Sequence, residues 1–313
     1  MAALLCLSQR HGLTLAGKTL GIIGVGNVGS RVAGKARALR LRVLKNDPPR
    51  EREGGRQPLA GEQAVTLEPG PFVSLEQLLA EADIVTLHVP LTRHGPDATR
   101  HLANEAFFAR MKRGSIFLNT ARGAVTDSEA LLRGLRQHRP AHVVLDTWED
   151  EPRYRPEVLE RVELGTPHIA GHSFEGKVNG TVMVYRAACR FLGVEPTWSP
   201  GPYMPPPVVQ EIETAAAGPD DEAALWTVVR GAYDIEADDR RLRASAVADP
   251  EERAARFDRL RREYPDRREF PAHRLSLRGG ARILEPRLRA LGFDVQAAGA
   301  PTSGERRRTP PRR

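Results

Sequence analysis

The sequence has few cysteines, few aromatic side chains and no apolar run of the length needed to cross a bilayer. Cys6 and Cys189 are too few for a disulfide framework, which favours a reducing, cytoplasmic setting. The apolar opening of residues 1–13 lacks a preceding basic segment, so we expect neither a signal peptide nor a membrane partner. Aromatic residues make up 5% of the 313 residues and apolar residues 40%, which predicts cores of Leu, Val and Ala in two modest domains.

Lysine is also scarce, occurring only at positions 18, 35, 45, 112 and 177, so arginine carries most of the basic charge. The net charge is +7, but residues 305–313 contribute five Arg and one Glu, which leaves +3 for the rest. Aromatic residues are not interleaved with a basic stripe, as single-strand binding would favour. A solvated arginine-rich surface therefore explains the charge better than a nucleic-acid partner does.

The stretch from Leu20 to Asp47 reads as strand, helix and strand. The β-branched apolar runs Leu20–Val25 and Leu41–Lys45 predict two buried strands. The segment between them predicts a helix with one apolar face, made of Val28, Val32, Ala36 and Leu39. Together they form one βαβ unit.

Three glycines in the pattern GxGxxG lie between the first strand and the helix. Gly24 allows a tight turn, Gly26 allows a pyrophosphate to approach the backbone, and Gly29 allows close packing of helix on strand. The positive end of the helix then faces the anion. Asp47 is placed to bond the ribose hydroxyls, which favours NAD, although the nearby Arg50 leaves NADP open.

Further strands alternate with helices along the chain, which predicts a doubly wound parallel sheet, an α/β fold. The predicted strands are Asp83–Val89, Ser115–Asn119, His142–Leu145 and Thr166–Ala170. Capping patterns open helices at Ser74 and Thr126. Because ligands bind at the carboxyl ends of parallel strands, the polar residues there should converge on one crevice.

The C-terminal part is predicted to be a separate, smaller α+β unit. A long helix at Glu175–Leu192 is followed by a proline-rich linker at Pro196–Pro207. Beyond the linker we expect helices at 220–233, 251–264 and 282–291 and strands at 275–277 and 293–295. The proline- and glycine-rich residues 48–71 predict a surface loop, and residues 299–313 a disordered tail.

Four polar residues near strand ends could carry chemistry. Arg122 could hold a carboxylate in two parallel hydrogen bonds, or it is one surface arginine among many. His168 could take a proton from a hydroxyl, although a lone histidine is often structural. Glu151 could fix the tautomer of His168, and Asp146 could face a nicotinamide or its ribose; the alternative for both is a solvated carboxylate. Histidines here lack metal-ligand spacing, and neither CxxC nor GxSxG occurs, so we expect no metal and no nucleophile elbow.

These residues, joined to the glycine motif, resemble the D-2-hydroxyacid dehydrogenase superfamily, and within it the erythronate-4-phosphate dehydrogenase family. The resemblance covers about residues 3–297 and includes the following motifs: Leu44–Arg50, His88–Thr92, Ala121–Val125, Thr166–Gly171, Glu175–Lys177 and Phe257–Phe270. It implies a Rossmann-type NAD-binding domain with a C-terminal dimerisation domain. It also implies a homodimer.

The resemblance implies NAD-dependent oxidation of 4-phospho-D-erythronate to 2-oxo-3-hydroxy-4-phosphobutanoate, on the route to pyridoxal phosphate. Arg122 would clamp the carboxylate, His168 would take the hydroxyl proton and Glu151 would hold His168. The NAD site would be lined by Gly24, Gly26, Asn27, Val28, Gly29, Asp47, Val89, Thr120, Ala121, Asp146 and Gly171. The family commonly has a substrate-contacting Tyr where this chain has His172, whose imidazole could still donate to a phosphate.

Family members carry a further segment before the point that matches Met1. The resemblance therefore implies these divisions: residues 1–16 a remnant of the substrate domain, 17–172 the NAD-binding domain, 173–198 a returning helix and linker, 199–298 the dimerisation domain, and 299–313 the tail. The sequence predicts a first helix at Ala2–Leu15. Without the missing part, the apolar faces of this helix and of the long helix should lack a partner.

We expect an incomplete sequence of a real enzyme; a start assigned too late and lost activity are the alternatives. Two other functions stay open. One is a non-catalytic NAD-binding or dimerisation module, and the other is a dehydrogenase for glycerate or phosphoglycerate.

Overall fold

A computed structural model describes residues 1–54, 72–207, 211–214 and 221–296. Within them, the larger sheet has six strands: β1 (Thr19–Ile23), β2 (Arg42–Asn46), β3 (Ile84–Leu87), β4 (Ile116–Asn119), β5 (His142–Leu145) and β6 (Leu164–Gly165). All pairs are parallel, in the order β2-β1-β3-β4-β5-β6. The order reverses between β1 and β3, and the carboxyl ends of these strands form the crevice where ligands bind in such sheets.

The helices of this part lie on both faces of the sheet, as the alternating pattern predicts. They are α1 (Ala2–His11), α2 (Asn27–Ala36), α3 (Pro48–Arg52), α4 (Leu75–Glu81), α5 (Glu105–Arg110), α6 (Ser128–Arg136), α7 (Pro156–Arg161) and α8 (Phe174–Leu192). Ser74 caps α4 by accepting from the N–H of Gln77 at 3.1 Å, as predicted. The cap of α6 is Asp127, one residue after the predicted Thr126, and it accepts from Ala130 at 3.0 Å.

Three local expectations were wrong. The first helix ends at His11 and not at residue 15, because Gly12 turns left-handed with φ +62°. The apolar face expected for α2 does not include Val28, which is 59% exposed in the first turn at the crevice. Residues 166–170 form a turn after β6 and not a strand, because His168 has φ +55°, which a strand cannot accommodate. The predicted loop 48–71 opens with α3, and its residues 55–71 lie outside the described residues.

The C-terminal unit contains a second parallel sheet, in the order β7-β8-β9. Its elements are β7 (Glu211–Thr214), α9 (Glu222–Ala232), α10 (Ile235–Ser245), α11 (Pro250–Arg262), β8 (Arg274–Leu277), α12 (Glu285–Leu291) and β9 (Asp294–Val295). The sequence patterns anticipated α9, α11, α12 and the last two strands, and they missed β7 and α10. Residues 299–313, predicted to be a disordered tail, lie outside the described residues.

The first helix does not lack a partner, contrary to expectation. Leu4, Leu5 and Leu7 of α1 are buried in one apolar cluster with Leu225 and Val229 of α9. The prediction failed because it considered only the substrate domain and not the C-terminal unit as a packing partner. For α8 the prediction was right, since Cys189 is its one buried residue.

None of the helices in the described residues combines the length and the apolar character that a bilayer crossing requires.

Candidate active site

The glycine turn joins β1 to α2 where the strand order reverses. Gly24 has φ +85°, and a Cβ there would lie 2.7 Å from the carbonyl oxygen of His88. A Cβ at Gly29 would lie 2.1 Å from the carbonyl oxygen of Gly24, so helix and turn are in direct contact. A Cβ at Gly26 would meet no atom of the described residues within 4 Å. The geometry thus fits the three expected roles of tight turn, open face and close packing.

The start of α2 fits a pyrophosphate. Gly26 is the N-cap of the helix and offers no side chain to accept from the first N–H groups. These N–H groups and the positive helix end therefore remain available to an anion above the open face of Gly26. Asn27 and the exposed Val28 follow directly in the first turn, where the NAD site was expected.

Asp47 lies beside this turn, at the carboxyl end of β2. One carboxylate oxygen accepts from the N–H of Val25 at 2.7 Å, and the other accepts from the N–H of Arg50 at 3.2 Å. The guanidinium Nε of Arg50 lies 3.8 Å from the first oxygen. The carboxylate is thus fixed between the glycine turn and α3, and the basic side chain that left NADP open is close by.

Arg122 follows β4 in a turn organised by Asn119. The fully buried Asn119 side chain accepts from the N–H of Ala121 and donates to the carbonyl oxygen of Arg122, both at 3.0 Å. The Arg122 side chain itself is exposed, and its Nη1 donates to the carbonyl oxygen of Ala121 at 2.7 Å. The buried amide of Asn119 therefore fixes the backbone of this turn, while the guanidinium of Arg122 lies exposed beside the carbonyl oxygen of Ala121.

Gly123 brings the arginine turn against the next loop. A Cβ at this position would lie 1.8 Å from the carbonyl oxygen of Trp148, so no larger residue fits. The N–H of Trp148 in turn donates to the carboxylate of Glu151 at 3.1 Å. The loop that carries Glu151 is thereby packed on the turn that carries Arg122.

Glu151 and His168 form a pair. The Nδ1 atom of His168 is hydrogen-bonded to Oε1 of Glu151, and the two side chains are 26% and 23% exposed. Because Nδ1 is engaged, Nε2 is the nitrogen left to act on a substrate hydroxyl. The carboxylate fixes the tautomer, as a general base requires.

Asp146 does not face open space but holds the turn that carries His168. Its Oδ1 accepts from the hydroxyl of Thr166 at 2.6 Å and from the N–H of Ile169 at 2.8 Å, and its Oδ2 accepts from the N–H of Ala170 at 2.9 Å. Burial raises the pKa of Asp146, while these hydrogen bonds and the nearby His168 act in the opposite direction. Its main part in the structure is to set the backbone of the histidine turn.

The remaining expected residues lie around the same crevice. Val89 touches the glycine turn, since a Cβ at Gly24 would lie 2.7 Å from its Cγ1. Thr120 and Ala121 form the start of the arginine turn, and Gly171 follows the histidine turn with open space beside its Cα among the described residues. His172 donates its N–H to the carbonyl oxygen of Ile169 at 2.9 Å.

The ring of His172 packs toward Tyr264 of the C-terminal unit, with centroids 6.2 Å apart. Burial, followed by the charges of Arg261 and Lys177, lowers its pKa. These surroundings favour the uncharged form of the imidazole, which can still donate one hydrogen bond.

Sequence reasoning missed Asn119 and Gly123 as residues that build the site. Asn119 could have been found as an amide at a strand end, three residues before Arg122. Nothing near Gly123 signals its contact with Trp148, which is 25 positions further along the chain.

The histidine search along the chain also missed a cluster of His11, His142 and Glu163, whose ligand atoms lie within 4.8 Å of one another. They come from three separate elements at the opposite edge of the sheet, and each histidine is paired with Glu163, at 3.2 and 3.3 Å.

Residues 7–170 match the family model described as the NAD-binding domain of D-isomer-specific 2-hydroxyacid dehydrogenases. Fold and site thus define an NAD-binding domain of this class of dehydrogenase. Residues 203–292 match a second model, described only as a domain of unknown function.

Among curated relatives, the erythronate-4-phosphate dehydrogenase of Marinobacter nauticus is 41% identical over 278 residues, 89% of this chain and 69% of that protein. The one from Cronobacter sakazakii is 43% identical over 269 residues, 86% of this chain and 66% of that protein. The chain belongs to the erythronate-4-phosphate dehydrogenase family, and it spans about two thirds of the length of these relatives.

A solved structure of an NAD-dependent formate dehydrogenase from Staphylococcus aureus, in complex with NAD, is 28% identical, with a TM-score of 0.46, and covers 62% of this chain and 54% of that one.

Proposed function

We propose that this chain catalyses the NAD-dependent oxidation of 4-phospho-D-erythronate to 2-oxo-3-hydroxy-4-phosphobutanoate, a step toward pyridoxal 5′-phosphate. The observation that carries the proposal is the pairing of His168 with Glu151, in a loop packed on the arginine turn at the carboxyl edge of the sheet. Removal of a hydride from a 2-hydroxy acid requires a general base, here oriented by a carboxylate, and a cationic group to hold the substrate carboxylate, for which we propose Arg122.

Each of the candidate site residues has a separate role in the proposed reaction. Arg122 holds the substrate carboxylate in two parallel hydrogen bonds and so places C2. His168 takes the proton of the C2 hydroxyl at Nε2, and Glu151 stabilises the imidazolium that results. The glycine turn and Asp47 would hold NAD, which would supply the acceptor for the hydride of C2 and so leave the 2-oxo acid. The glycine turn holds the pyrophosphate, while Asp47 favours an unphosphorylated ribose.

The test is a comparison of His168→Gln and Arg122→Lys with the parent chain. Proton transfer by a positioned side chain contributes about 10²- to 10⁴-fold, so His168→Gln should lower kcat in that range. Arg122→Lys should raise KM and lower kcat, because an ammonium cannot make the bidentate contact. Formation of NADH is followed by absorbance, and calorimetry should show NAD binding unchanged in both variants.

A non-catalytic NAD-binding module is the second candidate, and one observation favours it. The α8 helix presents exposed apolar residues, among them Val184 at 71% and Phe191 at 90%, and the Arg122 side chain is exposed. Exposure to water weakens the electrostatic stabilisation that a guanidinium gives to a developing charge. Calorimetric NAD binding with no turnover of any 2-hydroxy acid would replace the first proposal by this one.

The substrate is tested by measuring turnover of glycerate, 3-phosphoglycerate and 4-phosphoerythronate side by side. Turnover of glycerate or 3-phosphoglycerate in preference to 4-phosphoerythronate would assign the chain to a related dehydrogenase. His172 is proposed to donate a hydrogen bond to the substrate phosphate, and a His172→Ala variant should then raise KM for 4-phosphoerythronate more than for glycerate.

The assembly and its setting are also proposals. We propose a homodimer formed through the C-terminal unit, which sedimentation velocity across a dilution series tests. A cytoplasmic location is proposed because both cysteines are free and buried. Fractionation of cells that express the tagged protein checks it.

A further inference from the structure

The turn that carries His168 touches the C-terminal unit through one arginine. The guanidinium Nη2 of Arg267 donates to the carbonyl oxygen of Ile169 at 2.8 Å and to that of Ala170 at 3.1 Å. These are the two residues that directly follow His168. Arg267 lies about a hundred positions further along the chain, beyond α11, and belongs to the other unit.

The same two residues are held from the opposite side by Asp146. Its carboxylate accepts from the N–H groups of Ile169 and Ala170, at 2.8 and 2.9 Å. The carboxylate of Asp146 therefore accepts from the N–H groups of these two residues, and the guanidinium of Arg267 donates to their carbonyl oxygens. Charge-assisted hydrogen bonds of this kind are about twice as strong as neutral ones, so the backbone next to His168 is fixed from both sides.

Arg267 is itself held in place. Its guanidinium lies 4.4 Å from the ring centroid of Tyr233 and 5.5 Å from that of Tyr264. Its Nη1 lies 3.3 Å from the Tyr264 hydroxyl, which donates to Asp238 at 2.7 Å. Such stacking leaves a planar guanidinium little freedom, which a lysine could not reproduce.

The neighbours of Arg267 extend the contact to the start of α8. The N–H of Phe174 donates to the carbonyl oxygen of Arg267 at 2.8 Å, and Arg268 pairs with Glu175 at 2.6 Å. The hydroxyl of Ser173 donates to Glu269 at 2.7 Å. Residues 267–269 thus bind residues 173–175, the segment that follows the histidine turn and begins α8.

We propose that Arg267 is a positioning residue for His168, so that the C-terminal unit sets the geometry of the proton-accepting imidazole. The proposal rests on the proposed function for its catalytic consequence. His168 has φ +55°, a conformation that persists only where its surroundings hold it. A displacement of about 1 Å at a reacting group can cost about 10²-fold in rate, so release of the carbonyl side should be visible in kcat.

The test compares Arg267→Met with Arg267→Lys and with a matched control, Arg256→Met. Arg256 belongs to the same unit, but its ion pair is with the exposed Glu252, at 2.6 Å, on the surface of α11. We expect Arg267→Met to lower kcat about 10²-fold with the Kd for NAD unchanged. Arg267→Lys should recover part of the loss, because an ammonium can reach one of the carbonyl oxygens, and Arg256→Met should behave as the parent.

A second readout does not depend on turnover. The ring N–H proton of His168, shared with Glu151, should give a downfield proton resonance that a His168→Gln variant identifies. We expect this resonance to be lost or broadened by exchange in Arg267→Met, and retained in Arg256→Met. If the parent oxidises no 2-hydroxy acid, the proposed function fails, and the resonance still decides whether Arg267 positions the imidazole.

Arg267→Met with unchanged kcat and an unchanged resonance would overturn the proposal. A loss of thermal stability alone, with both readouts as in the parent, would also overturn it, because it would reduce Arg267 to a structural contact. If Arg267→Met does not fold, Arg267→Lys and Tyr264→Phe carry the same comparison, since the latter removes a hydroxyl that fixes the guanidinium.

Discussion

Some residues of the crevice are constrained by packing within the fold, and others by the space that a bound ligand needs. Gly29 must lack a side chain because the backbone of Gly24 is already there, whereas Gly26 faces space that only a ligand would fill. The motif alone suggested both roles. The partners of Asp146 and Gly123 could not be predicted, because the contacting groups are 20 or more positions away and no periodicity links them.

Replacing Gly26 or Gly29 by alanine should separate the effect on ligand binding from the effect on stability. Gly26→Ala should leave the free energy of unfolding of the ligand-free protein within about 1 kcal/mol of the parent, since its φ of −71° suits alanine. It should nevertheless weaken NAD binding at least tenfold, because the Cβ occupies the approach of the pyrophosphate. Gly29→Ala should instead unfold more easily without any ligand, by about 2 kcal/mol. Chemical denaturation and calorimetry measure the two effects, and equal NAD affinity for Gly26→Ala and the parent would contradict the expectation.

The half-buried His88, which directly follows β3, should make folding sensitive to acid. Burial, and then the charge of the terminal amino group, lowers the pKa of His88 from 6.5 to about 4. Between pH 6.5 and about pH 4, His88 is therefore protonated in the unfolded chain but not in the folded chain. Stability should fall as the pH falls through this window, by at most about 3 kcal/mol for this group.

His88→Gln isolates that contribution, since the amide can still bond the Thr86 hydroxyl, which lies 3.1 Å from the imidazole. The difference in free energy of unfolding between parent and variant should change between pH 6.5 and pH 4 and be constant above pH 7. His94→Gln, at an exposed position, is the control and should leave the pH profile unaltered.

At the scale of elements, strands and capped helices followed their patterns, and the errors fell where tertiary contacts decide. The turn after β6 looks like a strand by composition, yet the Asp146 carboxylate takes its N–H groups and keeps it out of the sheet. The helix α1 looked unpartnered because its partner, α9, lies more than 200 residues away. Patterns within a segment carry no information on such distant partners.

Glu222 at the start of α9 ties these two helices together. Its buried carboxylate accepts from the Ser8 hydroxyl at 2.7 Å and from the N–H groups of Leu15 and Ala16 at 2.9 and 3.0 Å. Glu222→Gln should lower the free energy of unfolding by about 2 kcal/mol, because the amide keeps one oxygen for the two N–H groups but its N–H₂ cannot accept from the Ser8 hydroxyl.

Glu252→Gln removes an exposed pair within α11 and should cost only about 0.5 kcal/mol or less. Urea denaturation of both variants provides the comparison. Equal losses would show that the α1–α9 contact contributes no more than a surface pair.

In the described residues, the units that carry the two sheets are joined by an exposed linker and by contacts at several places. These include the apolar cluster of α1 and α9, and residues 267–269 against the histidine turn and the start of α8. They also include the guanidinium of Arg287 bonded to the carbonyl oxygen of Ala38, and the carboxylate of Asp239 accepting from the N–H of Gly165 at 2.7 Å. Covalent continuity through residues 194–203 is thus one connection among several.

Limited proteolysis should cut first within residues 194–203, which are exposed or half-buried throughout. We expect the two fragments to co-elute on gel filtration, because the buried leucines of α1 remain packed on α9. Separation of the fragments under native conditions would mean that the linker, and not the packed contacts, keeps the units together.

The left-handed backbone at position 168 has a consequence for the stability of the fold. A residue with a Cβ loses roughly 1 kcal/mol in that conformation, and glycine or asparagine would fill it at less cost. The fold alone would therefore tolerate heat better with a smaller residue at this position, and the imidazole that stands there, hydrogen-bonded to Glu151, lowers its thermal stability.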